Sequence, residues 1–259
     1  MERTAEKHAT CRPATICVPV TGNGLSNRLP FENGVDPWRL PLMQTEHVLL
    51  SLAKIVEQRD KHTADHCARV AVTSVALGVG LQLDRPNLLA LYLGGFVHDV
   101  GKIGVPDAIL FKPDKLSDEE WPVMEAHTVY GEEICRPLSS LRSLLPIIRN
   151  HHERWDGSGY PDGLSGTKIP LLARVLQVVD IYDALTNPRP YKHAFSTARA
   201  LEVLEEEAAR GWRDREITAL FVRLHPAILG QIARYHLEAS GDTVSMQDSL
   251  AHLQDFLAH

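Results

Sequence analysis

The chain has 259 residues, enough for one large domain or two small ones around a substantial core. Its apolar and charged fractions, 44% and 23%, are those of an ordinary globular protein and exclude a disordered or fibrous chain. A net charge of -6 argues against broad, non-specific binding to nucleic acid. A polyanionic small ligand stays open, because bound cations or a few local Lys and Arg invert the field inside a cleft.

Residues 1–44 mix Pro, Gly, Asn and Ser with little periodicity and are expected to form an extended, partly disordered arm, with Phe31 and Trp38 as anchors. The first residues lack the apolar core of a signal peptide, and no apolar run reaches membrane-spanning length. Cys11, Cys17, Cys67 and Cys135 form no CxxC pair, so a reduced, cytoplasmic setting is expected. From Thr45 the pattern turns helical, with Val48, Leu49, Leu52, Ile55 and Val56 on one face. "TADHCARVAVTSVALGVGL" follows, with Val70, Ala71, Val75 and Val79 as core positions. "RPNLLALYLGGFVHD" has Pro86 in its first turn and is apolar nearly all round, which predicts a buried helix.

"LSDEEWPVMEAHTVYGEEI" opens with a capping box, Ser117 and Glu120. "LRSLLPIIRNHH" is an apolar segment that runs into paired histidines. "PLLARVLQVVDIYDAL" predicts a helix starting at Pro170, and "STARALEVLEEEAARG" one capped by Ser196 and closed at Gly211. The remainder is helical by pattern, and no segment alternates as a strand. The expected fold is all-α, with about eight to ten helices. The expected domains are the arm at 1–44, a main domain at 45–239 and a helical tail at 240–259.

"FVHDVGK" raises a chemical question, because a core-like helix ends in His98-Asp99. The bland reading is a helix C-terminus with Gly101 in the left-handed closing turn. The sharper reading needs partners, and the chain supplies His66, His127, His151-His152 and Asp180, each within or at the end of a predicted helix. Stiff supports of this kind can aim side chains at one point in a helical bundle. Any single histidine reads best as a satisfied core or surface residue. An adjacent His-Asp pair followed by an adjacent His-His pair does not. Five histidines and two carboxylates suit two divalent metals sharing a bridging carboxylate, with iron, manganese, zinc or nickel favoured over calcium or magnesium. Gln177, Asp180, Asp183 and Asn187 form a polar stripe on an otherwise apolar helix, and a buried carboxylate is costly unless paired or metal-bound.

His66, His98-Asp99 and Asp180, with "HDVGKIGVPDAIL", "HHERWDGSGYPDGL" and "IPLLARVLQVVDIYDALTNPRPYK", resemble the HD phosphohydrolase superfamily and its HD-GYP branch, named for the triplet Gly159-Tyr160-Pro161. The likeness covers roughly residues 45–224. It implies a helical HD-type bundle with the metal centre in its core, and phosphodiesterase activity on cyclic di-GMP. It implies one metal held by His66, His98, Asp99 and Asp180, and a second held by His127, His151 and His152 with Asp99 bridging. A metal-bridging hydroxide would then attack phosphorus, giving linear pGpG and, by a second cut, GMP. Iron or manganese is the expected metal. Members with a third metal carry Glu four residues before the first motif histidine. Here that position is His62, the one candidate for a third site, so a binuclear centre is expected.

The same resemblance gives Lys102 and Asp99 catalytic roles, with Lys102 facing the substrate phosphate. Asp183 is expected to orient a ligand or to touch substrate. Arg189 and Lys192, freed by Pro188 and Pro190 from helical geometry, are expected to bind phosphate, and Tyr191 either to stack on guanine or to pack. The Gly159-Tyr160-Pro161 loop is not a nucleotide P-loop. It either docks diguanylate cyclase (GGDEF) domains or shapes the active-site rim. Cys67 reads as a core thiol. Two alternatives remain open: a slow or inactive module acting by contact with cyclases, and a hydrolase of another cyclic or linear dinucleotide. The sequence leaves oligomeric state and input signal undecided.

Overall fold

The computed structural model describes residues 51, 52, 55, 64–187 and 194–238. The arm, the tail, and with them Phe31, Trp38, His62, Arg189, Tyr191 and Lys192 lie outside the described residues. Among the described residues the secondary structure is helical throughout, without strands. The α-helices are α1 (Ala64–Gly80), α2 (Arg85–Val97), α3 (Asp107–Leu110), α4 (Trp121–Glu125), α5 (His127–Cys135), α6 (Leu145–Asn150), α7 (Leu171–Thr186), α8 (Thr197–Ala209) and α9 (Arg215–Glu238). Short 3-10 turns cover Val100–Gly104, Ser139–Leu144 and Gly166–Lys168.

Helix α2 is the hub. Asp84 caps it by accepting from the Asn87 N–H at 3.1 Å, and Pro86 sits in its first turn. Leu91, Tyr92 and Val97 are fully buried, against α1 on one side and α6 and α7 on others. In α7, Val175, Leu176, Val178 and Val179 join the same core, and α8 and α9 close over it. Helices α1, α2, α6 and α7 therefore converge, with His66 near the start of α1, His98 and His151 just after α2 and α6, and Asp180 within α7. No helix of the described residues is long and apolar enough to cross a membrane.

Local departures from expectation have physical causes. Val79, expected in the core, is 40% exposed, because the packed side of α1 at this end carries Gly78 and Gly80, which lie against Leu91 and Leu224. Ile55 is exposed as well, while Leu52 packs on the core. The Ser117–Glu120 box forms reciprocally: Ser117 N–H donates to Glu120 at 2.8 Å and Glu120 N–H to Ser117 Oγ at 3.4 Å. The expected single helix after it is broken at Ala126 into α4 and α5, which turns His127 inward. Helix α7 begins one residue after Pro170, α8 is capped by Ser196 and closed by Gly211 at φ 84°, and α9 runs continuously through Pro226.

Gly101 corrects the bland reading of the His-Asp pair. It is absent from the left-handed region. Its role is close approach: a Cβ there would overlap the carbonyl oxygen of His127 and the backbone nitrogen of Gly131. A side chain at 101 would push the 3-10 turn away from α5, and only glycine lets the Asp99 turn and the His127 helix meet.

Candidate metal centre

The expected histidines and carboxylates come together as two groups. His66, His98 and Asp180 form one, and Asp99, His127, His151 and His152 the other, with the ligand atoms of each group within 4.8 Å of one another. Asp99 lies between the groups. Its Oδ2 is 3.4 Å from His98 Nε2, and its Oδ1 is 3.4 Å from His127 Nε2 and 3.8 Å from His151 Nε2. Lys102 Nζ donates to Asp99 Oδ2 at 2.6 Å from the next turn.

The ring nitrogens carry the test of whether a metal fits. His98 Nδ1 bonds to the Gly95 carbonyl at 2.9 Å, His127 Nδ1 to Met124 at 2.7 Å, and His151 Nδ1 to Ile148 at 2.9 Å. A carbonyl only accepts, so each Nδ1 carries the hydrogen and each Nε2 presents a lone pair. Those three Nε2 atoms are buried and have no hydrogen-bond partner. Unpaired buried polar atoms are rare and costly. Three of them converging on one carboxylate are the donor set of a divalent transition metal, each ligand oriented by its backbone bond. The residues fit the group.

The electrostatics agree. Burial pushes His127 down to about 4, and burial together with the neighbouring imidazoles holds His152 well below its ordinary value. Both are therefore neutral at physiological pH, the form of imidazole that can bind a metal. Burial, the largest single effect, opposes ionisation of Asp99, but the Lys102 ammonium together with His98 and His151 outweighs it and holds the carboxyl well below the usual range. His66 differs. Burial lowers its pKa, yet Asp180 and Asp183 overcome that and raise it to about 9. Its Nδ1–H donates to Asp183 Oδ2 at 2.7 Å, and its Nε2 faces Asp180 Oδ1 at 3.3 Å.

Asp183 has its oxygens committed. Arg69 Nε and Nη2 donate to its two oxygens at 2.6 and 2.9 Å, and Asn187 Nδ2 donates to Oδ1 at 3.0 Å. Asp183 thus joins His66 on α1 to α7, with Arg69 and Asn187 on its remaining acceptor positions. Sequence reasoning missed Arg69. Its signal was weak: an arginine one turn after His66 on an otherwise apolar helix.

Glu153 was also missed. It is fully buried, and its carboxylate accepts the Asp162 N–H at 2.7 Å and the Leu164 N–H at 3.0 Å. Gln177, expected as part of the stripe, donates to the carbonyls of His151 and Glu153 and so ties α7 to the histidine turn. The loop that follows is ordered, with Gly157 and Gly163 at φ 86° and 63° and a cis Tyr160–Pro161 peptide. The Tyr160 ring lies over His152, centroids 4.9 Å apart and planes 32° from parallel. Cys67 is a buried core thiol, as expected.

A cleft of about 460 Å³ opens beside the two groups, a volume usual for small-ligand sites. His152 and Asp180 face it, with Trp121, Tyr160, Arg154 and Arg213 among its walls. Neither arginine was expected from the sequence.

A family model described as HD domain matches residues 51–217. The chain is 38% identical over 161 residues to the 3'3'-cGAMP-specific phosphodiesterase 3 of Vibrio cholerae, covering 62% of this chain and 35% of that protein. It is 37% identical over 192 residues to the cyclic di-GMP phosphodiesterase PA4108 of Pseudomonas aeruginosa, 73% of this chain and 45% of that one. The cyclic di-GMP phosphodiesterase of Thermotoga maritima is 34% identical over 183 residues, 70% and 50%. The chain thus spans between about a third and a half of the length of these relatives. Among solved structures, the HDG"Y"P protein Bd1817 of Bdellovibrio bacteriovorus superposes with a TM-score of 0.54 at 22% identity, over 71% of this chain and 59% of that one. A V. cholerae cyclic GMP-AMP specific phosphodiesterase gives 0.57 at 19%, over 71% and 50%.

Proposed function

We propose a function from the premise that the chain belongs to the HD domain family, in its HD-GYP branch: it is a metal-dependent phosphodiesterase that hydrolyses cyclic di-GMP to linear pGpG, with a second cut giving GMP. The observation that supports this most directly is the ring of three orphaned imidazole nitrogens around Asp99 at the edge of the cleft. We assign two divalent ions, iron or manganese, to the two donor groups. His66, His98, Asp180 and Asp99 hold one; His127, His151, His152 and Asp99 hold the other. Bound there, such ions supply Lewis-acid charge to phosphate oxygens and make water nucleophilic at neutral pH.

The chain's own residues do the rest. Asp99 serves both groups, and its negative charge offsets the repulsion of two cations. Lys102 stands next to it with a positive charge, where it stabilises the charge that grows on phosphate oxygens. Asp183 and Arg69 fix the tautomer and angle of His66, and the Nδ1–carbonyl bonds do the same for His98, His127 and His151. Glu153 and Gln177 hold the His151-His152 turn and the loop after it. Tyr160 covers His152 on the cleft side and limits water there. That packing supports the Gly159-Tyr160-Pro161 loop as part of the rim rather than as a cyclase dock.

A second substrate reading, hybrid 3'3'-cyclic GMP-AMP, is favoured by the relatives so named, one at 38% identity. Anaerobic reconstitution with iron and with manganese, followed by chromatography of reactions with each cyclic dinucleotide, tests both. Linear dinucleotide or mononucleotide from cyclic di-GMP is the expected result. Metal-loaded protein that leaves it intact refutes the reading.

A further inference from the structure

The cleft contains two guanidinium groups that the chemistry so far does not use. Arg213 is 7% exposed, and its Nε edge is held by Glu207 of α8 at 2.8 Å. Arg154 is half-buried, and its guanidinium carbon lies over the Trp212 ring, 4.5 Å from the centroid. The two are brought together by backbone. The Trp155 N–H donates to the Trp212 carbonyl at 3.1 Å, which binds the histidine loop to the segment before α9. Asp214 then fixes the end of that segment, because its Oδ1 accepts the N–H of Glu216 at 3.0 Å and of Ile217 at 3.3 Å. Its Oδ2 pairs with Arg174.

This arrangement is costly without a ligand. Like charges share one wall, and a mostly buried guanidinium loses hydration. Among the described residues Glu207 is the one carboxylate that forms an ion pair with either arginine. The carboxylates that line the cleft are Asp180, which is assigned to a metal, and Glu125, which forms no ion pair with either arginine. Arg154 lines the cleft with its guanidinium carbon over Trp212, and a guanidinium is the group that forks onto phosphate. A cyclic dinucleotide carries two phosphodiesters, of which one is cut at a time. The other must lie in the same cleft.

Resting on the proposed function, we propose that Arg154 and Arg213 form a second phosphate subsite, which holds the phosphodiester that is not being cut while its twin lies at the metal groups. After the first cut the same pair holds a phosphate of the linear product. The subsite selects two-phosphate substrates over single phosphodiesters. Arg154 and Arg213 therefore act on affinity and orientation, away from the reacting phosphorus.

Manganese-loaded parent, Arg154→Gln, Arg213→Gln and the two Lys variants are assayed on cyclic di-GMP and on bis(4-nitrophenyl) phosphate, which has one phosphodiester and cannot fill both places. The ratio of kcat/KM for cyclic di-GMP to that for the small diester is expected to fall at least tenfold in each Gln variant. The loss falls mainly on KM, with part recovered by Lys. Bound metal is measured in every sample. If Arg213→Gln fails to fold, Arg154→Gln decides alone, since Arg154 makes no ion pair among the described residues. A ratio equal to the parent's in the folded Gln variants overturns the subsite while leaving the phosphodiesterase reading intact. A parent that cleaves the small diester but not cyclic di-GMP overturns the phosphodiesterase reading, and the subsite with it.

Discussion

Asp183→Asn separates a residue that holds a ligand from one that holds substrate. In the parent, Asp183 accepts from His66 Nδ1 and, through both oxygens, from Arg69, with Asn187 adding a further bond. An amide of the same shape has one acceptor oxygen, and its NH2 group cannot accept from His66 or Arg69. At least one charge-assisted bond is therefore lost, and the Arg69 guanidinium loses its counter-ion. A hydrogen bond to a charged group is worth about 1.5–3 kcal/mol. Spent on orienting His66, that corresponds to roughly 10- to 100-fold in affinity for the metal it holds, the usual effect of losing such a support. Chelator competition on manganese-loaded protein reads this directly, with metal per chain counted alongside. KM for cyclic di-GMP, measured at saturating manganese, should change little. A variant that binds metal as tightly as the parent but shows a large rise in KM would refute the bracket and return Asp183 to the substrate.

Asp99→Ala should abolish turnover by orders of magnitude and lower metal content in both groups, because the carboxylate faces His98 on one side and His127 and His151 on the other. Full metal occupancy in that variant would show the shared geometry to be wrong. Gly101→Ala should destabilise the fold by at least about 1–3 kcal/mol, as overpacking against rigid backbone does, and deplete the His127 group first. Thermal melts with metal analysis check this, and an unchanged melting temperature would sink it. Metal binding near pH 7.5 should release about one proton from His66, whose pKa in the metal-free protein is raised to about 9. Because the pKa is raised from 6.5, the matching stabilisation of metal-free protein is complete below pH 6.5 and is lost as pH rises through about 9. Calorimetric titrations in two buffers of different ionisation enthalpy measure the release, and equal heats would contradict it.

The helical architecture was legible because burial wrote itself into period and punctuation. Ser196 caps where its side chain allows, Pro86 sits in a first turn, and α2 is apolar nearly all round because it is enclosed. The first ligand candidates were legible for another reason. Charged and polar groups at His98-Asp99, His151-His152 and Asp180 interrupt apolar runs, and such interruptions are unfavourable unless they converge. What failed depends on packing between segments. Val79 fits the apolar face of α1, but the side packed at that end of the helix is the one carrying Gly78 and Gly80, against Leu91 and Leu224. Gly101 looked like a helix terminator, whereas its lack of a side chain is required by α5, a helix more than twenty residues on.

The missed residues share one property: each acts on backbone or on a side chain far away in sequence. Glu153 accepts N–H groups from its own loop, Arg69 reaches Asp183 across α1 and α7, and Arg154 shares a cleft wall with Arg213 where the Trp155–Trp212 backbone hydrogen bond and the Arg154–Trp212 contact join two segments. Ligands announce themselves by chemistry that is wrong for a core, but their supports are chemically ordinary. This sets the order in which the centre can be weakened. Removing a ligand deletes a donor, so occupancy falls. Removing Glu153 leaves every donor in place and frees the Asp162 and Leu164 N–H groups, which loosens the loop carrying Tyr160 before any ligand is lost. The loop and the ligands are thus separable in energy although they are contiguous in sequence.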